Sequence, residues 1–413
     1  MSPVRQLWDA MRPQRKLLLV AAILGFIAAA SSVALLGTSG WLISYAAEMP
    51  PVLALSVAAV MVRAFALSRS VFRYLERIVG HDAAFRGLTG LRVTVYERLE
   101  RLAPVGLARY SRGDLLARVV ADVDAALDLP LRVVLPWAQA ILVSIGTAAF
   151  LAFLVPASGA LLGVILLCGL VVVPWIVARL AARAESRQAP ARGALSAEVV
   201  SSLEGAADLL AFNAVPAALA SISSRDVELT AIAKRESAGL GLGAGLGVLL
   251  QGAAVVGSLA LAIPAVIDGR LAAPWLAVAA LLPLAVYDVV MTLPASALAY
   301  QRVRSSAERI ADVVDAPLPV TEPRDPAPAP QEPLTLQCMD VSARWQDDGP
   351  WTLRGVSLSL RDRERIAIVG PSGAGKSTLA AVLLKFLEYR GEVRLGDRRI
   401  AVSYTHLTLP TKA

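Results

Sequence analysis

The chain has 413 residues, of which 56% are hydrophobic and only 18% are charged, and its mean hydropathy is +0.60. This composition excludes an ordinary soluble domain and predicts a protein that lies mostly in a membrane. The net charge of +7 and the isoelectric point near 9.7 are compatible with nucleic-acid binding. No nucleic-acid motif accompanies that charge, so we expect no nucleic-acid partner.

Six apolar segments are long enough to cross a lipid bilayer as helices, which takes about 20 residues each. They are predicted at about 17–45, 51–79, 133–155, 158–180, 239–267 and 272–300. Basic residues are concentrated before the first segment and in the long loops 73–132 and 179–235, whereas the outer turns 156–159 and 268–271 contain only Arg270. Because basic loops favour the cytoplasmic side, we expect a multi-pass plasma-membrane protein with both termini and both long loops in the cytoplasm.

A proline-rich segment separates these helices from a second domain. Residues 315–333 contain seven prolines, which favours an extended linker. The sequence therefore predicts a membrane domain at 1–314 and a second domain at 334–401. In the second domain, strands are predicted at 334–345, 351–360, 392–395 and 399–402.

The second domain contains the complete motif G-x-x-x-x-G-K-[ST] of a phosphate-binding loop. A β-type run at 365–369 precedes the motif, and a helix-type run at 376–386 follows it. This order points backbone N–H groups and a helix N-terminus at one spot, where phosphates bind. We expect Lys376 to reach the β- and γ-phosphates of ATP and the Ser377 hydroxyl to bind Mg²⁺. The predicted ATP contacts in the motif are Gly370, Pro371, Ser372, Gly373, Ala374, Gly375, Lys376, Ser377 and Thr378.

This order of domains resembles the ABC exporters of the six-helix half-transporter type. The resemblance implies six transmembrane helices followed by an α/β P-loop nucleotide-binding domain, of which this sequence carries the N-terminal part. It also implies that Trp345 stacks on adenine; the alternative is a buried strand tryptophan. The segments 110–124 and 203–212 are similar to the coupling helices of the family, which dock on nucleotide-binding domains.

Three segments, 37–43, 73–82 and 107–110, narrow the resemblance to the CydC-type subunits. This resemblance implies a heterodimer with a CydD-like half-transporter and ATP-driven export of a small thiol of the cysteine or glutathione type to the periplasm or cell exterior. It also implies support of cytochrome bd assembly. An exporter of lipids or drugs and a hydrolytically inactive membrane scaffold are the alternatives.

Arginines in the second apolar segment are the substrate candidates. Arg63 lies about 18 Å into a core of ~30 Å, where a charge usually faces a cavity or a partner. Arg69 and Arg73 continue a basic face toward the inner end, which suits the carboxylate of an anionic or zwitterionic thiol. The alternatives are that Arg63 pairs with Asp288 and that the lower arginines anchor the helix at the membrane surface.

His81, at the inner end of the second segment, is a candidate haem ligand. Imidazole is a common haem ligand, and the resemblance links the CydC-type subunits to haem. The alternative is a boundary histidine that bonds to Asp82 or to lipid headgroups. Neither Cys168 nor Cys338 is expected to form a disulfide or bind a metal.

The resemblance stops after about residue 401. The 413 residues contain no glutamine-bearing loop, LSGGQ-like segment, strand ending in Asp-Glu or switch histidine, so no catalytic set is complete. Residues 402–413 fit no element of the family and are expected to come from a frameshift, a sequencing artefact or a foreign tail on a truncated copy, in which His406 carries no chemistry. The alternative is a divergent but genuine end. We therefore expect residues 1–413 to hydrolyse no ATP, alone or with a CydD-like partner.

Overall fold

The computed structural model describes residues 2–107, 110, 115, 118–320, 334–345, 349–396 and 398–399, without the side chains of 181–190, 236 and 398. It divides into two units, residues 1–92 with 120–309 and residues 93–119 with 310–413. Each unit is described by itself. Residues 321–333 of the predicted linker, residues 111–114 and 116–117 of the predicted first coupling segment, and the tail at 402–413 lie outside the described residues.

The first unit is built from long helices. Ten α-helices of six or more residues precede the sheet among the described residues, and α3 and α10 each continue into the second unit. They are α1 Pro3–Ala10, α2 Arg15–Ala46, α3 Val52–Leu102, α4 Leu135–Leu154, α5 Pro156–Leu167, α6 Val173–Glu204, α7 Ala206–Ala211, α8 Val215–Ile267, α9 Pro274–Val290 and α10 Leu293–Val314. Short π-helical segments, Arg118–Asp122, Leu129–Val134 and Cys168–Val172, lead into α4 and α6.

Six helical stretches are long and apolar enough to cross a membrane, which confirms the six predicted spans. They run over Arg12–Ala46, Val52–Leu102, Arg118–Leu154, Pro156–Leu180, Val215–Ile267 and Pro274–Val314. Several extend far beyond the predicted bounds, because the charged sequence before or after the apolar run is also helical. The 53 residues of α8 reach about 80 Å at 1.5 Å per residue, far more than the ~30 Å of a hydrocarbon core.

The turn predicted at 156–159 is wrong. The chain leaves the helical conformation only at Val155, with φ −141° and ψ 100°, and Pro156 already begins α5. Proline suits the first helical position because its missing N–H would be unpaired there anyway. Gly159 makes the tight turn possible, since a Cβ at this position would lie 2.2 Å from the backbone nitrogen of Ala152.

The core of the first unit lies where α2, α4, α5, α8 and α9 pack together. Tyr287 is fully buried there, and its hydroxyl donates a hydrogen bond to the Ile165 carbonyl at 3.1 Å. Small residues such as Ala28 and Ala29 let α2 approach its neighbours closely. By contrast, few side chains of α3 are buried, so much of this helix remains available to lipid or to a partner.

The second unit contains an antiparallel sheet of four strands in the order β2-β1-β3-β4. The strands are β1 Leu336–Ala343, β2 Leu353–Leu360, β3 Tyr389–Leu395 and β4 Arg398–Arg399. A further helix, α11 Lys376–Leu383, contributes Leu379 and Val382 to the core of the sheet. Cys338 lies in this core, and burial raises the pKa of its thiol, so it is a poor nucleophile at neutral pH.

The strand predicted at 365–369 is absent from the structure. This segment has no regular backbone structure, Ile366 and Ile368 are about half exposed, and Val369 is 88% exposed. A strand needs a neighbour to satisfy its backbone N–H and C=O groups, and no described strand lies alongside this segment. The helix predicted over 376–386 also ends earlier, at Leu383.

Candidate functional site: a phosphate loop and a charged membrane cavity

The phosphate loop at 370–377 adopts a conformation that requires its glycines. Gly373 and Gly375 have φ values of +84° and +91°, in the left-handed region that side chains rarely adopt. A Cβ on Gly375 would also lie 2.8 Å from Leu353 Cδ2 and 3.1 Å from the Thr352 carbonyl oxygen. The loop therefore packs directly on the start of β2, and Gly375 is the N-cap of α11.

Lys376 is folded back over the phosphate loop. Its Nζ donates hydrogen bonds to the carbonyl oxygens of Gly370 and Pro371, both at 2.8 Å. Ser377, in the first turn of α11, is exposed, whereas Thr378 is buried. This arrangement keeps a positive charge at the loop and an accessible hydroxyl at the helix N-terminus, which are the groups that bind phosphates and the associated Mg²⁺.

Trp345 lies beside the same helix. Its Nε1–H donates a hydrogen bond to Thr378 Oγ1 at 3.1 Å, and 44% of the residue is exposed. The alternative of a buried strand tryptophan is therefore wrong, because β1 ends at Ala343 and the ring is half-exposed. The hydrogen bond fixes an aromatic surface next to the phosphate loop. Stacking on adenine stays a prediction.

The sequence did not indicate the neighbouring Trp351 as part of a site. Two guanidinium groups, those of Arg344 and Arg390, each lie 4.9 Å from the centre of its ring. Arg390 belongs to β3, so the pairing of β1 with β3 creates this contact. The feature of the sequence that could have indicated this cluster is the number of arginines and tryptophans around the β1–β2 connection.

In the membrane domain, Arg69 and Arg73 line a cavity of about 380 Å³. Asp288 of α9 and Gln139 of α4 line the same cavity. Arg73 donates a hydrogen bond from Nη1 to Gln139 Oε1 at 3.2 Å and lies 3.8 Å from the Glu76 carboxylate. Gln139 is not among the residues predicted from the sequence, and Asp288 is predicted there only as an alternative partner for Arg63.

Arg63 lies elsewhere. Its side chain is exposed, and among the described residues it forms neither the pair with Asp288 nor any other ion pair. Its neighbours Met61 and Phe65 line a different cavity of about 530 Å³, whose walls are apolar and include Trp41 and Trp275. Hence the structure gathers two of the three candidate arginines at one site and leaves the third outside it.

His81 is exposed on α3, and its Nδ1 lies 2.8 Å from the Arg77 carbonyl oxygen. Because a carbonyl only accepts, Nδ1 donates this hydrogen bond, and in the neutral imidazole Nε2 then has the lone pair that an iron ligand needs. The alternative bond to Asp82 is not formed; Asp82 pairs with Arg86 at 3.0 Å. Haem ligation stays a prediction, for which loss of a Soret band in a His81→Ala variant is the measurement.

Comparison with known proteins adds to this geometry. The family model described as ABC transporter matches residues 353–409, so the match includes part of the tail that the sequence analysis left unassigned. The glutathione/L-cysteine transport system ATP-binding/permease protein CydC of Escherichia coli strain K12 is 31% identical over 93% of this chain and 68% of its own length. The CydC protein of Haemophilus influenzae is 28% identical over 95% of this chain and 68% of its own length.

Other relatives are less similar or match only in part. The CydD protein of Bacillus subtilis, named for the same transport system, is 28% identical over 90% of this chain and 65% of its own length. An ATP-dependent lipid A-core flippase of Alkalilimnicola ehrlichii is 36% identical, but over only 24% of this chain and 17% of its own length. The chain thus spans about two thirds of the length of the relatives that it matches throughout.

Proposed function

This chain belongs to the CydC-type ABC transporters, multi-pass membrane proteins that bind ATP, and on that premise we propose that it is one half of a heterodimeric exporter of small thiols. The thiols are of the cysteine and glutathione class. They move from the cytoplasm to the periplasm or cell exterior, with both termini of the chain on the cytoplasmic side. The proposal includes a CydD-like partner and support of cytochrome bd assembly.

The observation that carries the proposal is the extent of the match to CydC. Similarity over 93% of the chain includes the membrane helices, which contact the substrate in a transporter. The match to the lipid A-core flippase covers only 24% of the chain and therefore cannot include all six membrane helices. Export of thiols is thus better supported than export of lipids or drugs.

Exposed apolar side chains support a partner chain. At the connection from α6 through α7 to α8, Leu203 and Leu210 are each 71% exposed and Phe212 is 82% exposed. This is the segment that resembles a coupling helix. Large apolar side chains at a polar helix tip are typical of a docking surface, and we propose that a nucleotide-binding domain of the CydD-like partner docks there.

At the phosphate loop, Lys376 and the N–H groups of α11 would hold the phosphates of ATP, and Ser377 would bind Mg²⁺. When bound, Mg²⁺ would neutralise part of the negative charge of the phosphates. To reach the γ-phosphate, the Lys376 ammonium must exchange its two bonds to the Gly370 and Pro371 carbonyls for phosphate oxygens. The exposed ring of Trp345 would then stack on the adenine.

Equilibrium binding to the chain paired with a CydD-like partner in lipid nanodiscs tests the proposed function. We expect radiolabelled glutathione and L-cysteine to bind and to compete with each other, and neither lipid A nor drug-like cations to displace them. Displacement by lipid A, with no saturable thiol binding, would favour the flippase alternative instead.

A further inference from the structure

We propose that the cavity lined by Arg69, Arg73, Gln139 and Asp288, here called the charged cavity, binds the amino-acid head of a zwitterionic ligand. Asp288 receives the ammonium group, and Arg69 receives the carboxylate. That the ligand is a thiol rests on the proposed function. The inference adds which chemical groups of the ligand are recognised and which residues recognise them.

The first observation is that the charged cavity holds two opposite charges that do not neutralise each other. Arg69 and Asp288 line the same space of about 380 Å³, yet neither forms an ion pair with any described side chain. Arg73 differs, because Gln139 and Glu76 occupy its guanidinium group. Isolated charges in a membrane-spanning segment are costly and usually face a cavity or a ligand. A ligand that carries both charges can satisfy both groups at once.

The second observation concerns the hydroxyl groups of the charged cavity. Thr292 Oγ1 donates its hydrogen to the Val289 carbonyl at 2.7 Å, and Ser32 Oγ donates its hydrogen to the Ala28 carbonyl at 3.2 Å. Both hydroxyls line the cavity, and each has used its only hydrogen on a backbone carbonyl three or four residues before it. They can therefore act there only as acceptors. Acceptors beside a carboxylate match an ammonium group, which offers three donors.

The third observation is that residues from several helices position the groups of the charged cavity. The charged cavity takes its charges from α3 and α9, and Gln139 of α4 holds Arg73 in place. Gly25 of α2 makes room for that amide, since a Cβ there would lie 2.1 Å from Gln139 Nε2. The volume falls within the roughly 300–1,000 Å³ typical of small-molecule sites. The apolar cavity that contains Trp41 and Trp275 has no charged side chain in its wall and cannot recognise a zwitterion.

Binding of L-cysteine and two analogues to the paired chain in nanodiscs tests the inference. The analogue 3-mercaptopropionate lacks the ammonium group, and cysteamine lacks the carboxylate. We expect the wild type to bind L-cysteine about tenfold or more tightly than either analogue, because each analogue leaves one charge of the cavity without a partner. Asp288→Asn should abolish the preference over 3-mercaptopropionate and leave the affinity for this analogue intact, which also shows that the variant is folded. Arg69→Gln should abolish the preference over cysteamine.

Matched controls come from the ion pair at the opposite end of the membrane domain. Asp268 and Arg270 lie 2.6 Å apart in an exposed turn, so Asp268→Asn and Arg270→Gln should leave all three affinities unchanged. An Asp288→Asn variant that keeps the wild-type preference for L-cysteine overturns the inference and leaves thiol export standing. Equal binding of L-serine and L-cysteine, with the same dependence on Asp288, supports the charged cavity and counts against a thiol substrate. A wild type that binds no amino acid overturns the inference.

Discussion

Replacing Lys376 with alanine should weaken ATP binding by about a hundredfold or more, the largest functional effect that we expect from a single substitution. The ammonium group is the full positive charge that the phosphate loop itself supplies, and bonds to charged groups shielded from water are worth about 2–5 kcal/mol. Its present bonds to the Gly370 and Pro371 carbonyls are with neutral acceptors, so exchange for phosphate oxygens is favourable. Fluorescence titration with an ATP analogue and Mg²⁺ measures the affinity.

The control for this variant is Arg363→Ala. Arg363 is 92% exposed at its side chain and lies outside the phosphate loop, so its removal should leave ATP affinity unchanged. We also propose that residues 1–413, paired with a CydD-like chain, release no phosphate above background. The 413 residues include neither a carboxylate motif that orients the attacking water at their own phosphate loop nor an LSGGQ-like segment that would complete the site of the partner. Undiminished ATP binding in Lys376→Ala, or turnover that disappears in this variant, would contradict these expectations.

Replacing Gly159 with alanine should destabilise the membrane domain by about 3 kcal/mol, the cost of a severe overpacking. The added Cβ would lie 2.2 Å from the Ala152 backbone nitrogen and 2.3 Å from the Ala152 Cα. Relief requires α4 and α5 to separate, because the colliding atoms belong to the backbone and no rotamer change removes them. Thermal unfolding of the purified protein in detergent measures the loss.

Gly163→Ala is the matched control for the turn. It lies one helical turn further along α5, and its Cβ would meet the Ala148 Cβ at 4.0 Å, an ordinary contact. This variant should be neutral or gain up to about 1 kcal/mol, since alanine is the better helix former. Equal melting temperatures for both variants would show that the turn at Val155 is not as tight as described.

The features that the sequence predicted well are those set by local pattern. Apolar runs of sufficient length identify spanning helices without any tertiary information. In a bilayer the backbone N–H and C=O groups must form hydrogen bonds within the segment itself, and a helix provides them. The phosphate loop is likewise a local motif, and the structure places Lys376 and Ser377 at the N-terminus of α11 as expected. The half-exposed Trp345, bonded to Thr378, is compatible with the role that the family resemblance gave it.

The features that the sequence missed depend on residues far apart in the chain. The run at 365–369 has the composition of a strand, but a strand exists only where another strand pairs with it. The charged cavity requires α3, α4 and α9 to meet, so Gln139 and Asp288 could not be assigned to the site of Arg69 from spacing alone. Depth in the membrane, the argument used for Arg63, does not decide which side of a helix a residue occupies.

The central claim is that ATP at the phosphate loop and a thiol in the membrane domain are linked within one transporter. Titration of the chain and its CydD-like partner with radiolabelled L-cysteine, with and without saturating ATP and Mg²⁺, tests this claim most directly. A coupling of about 1–3 kcal/mol, typical of linked sites, corresponds to a change of roughly 5–150-fold in the dissociation constant of the thiol. We expect a change in that range, absent in Lys376→Ala. A dissociation constant that ATP leaves unchanged in the wild-type pair would contradict the account.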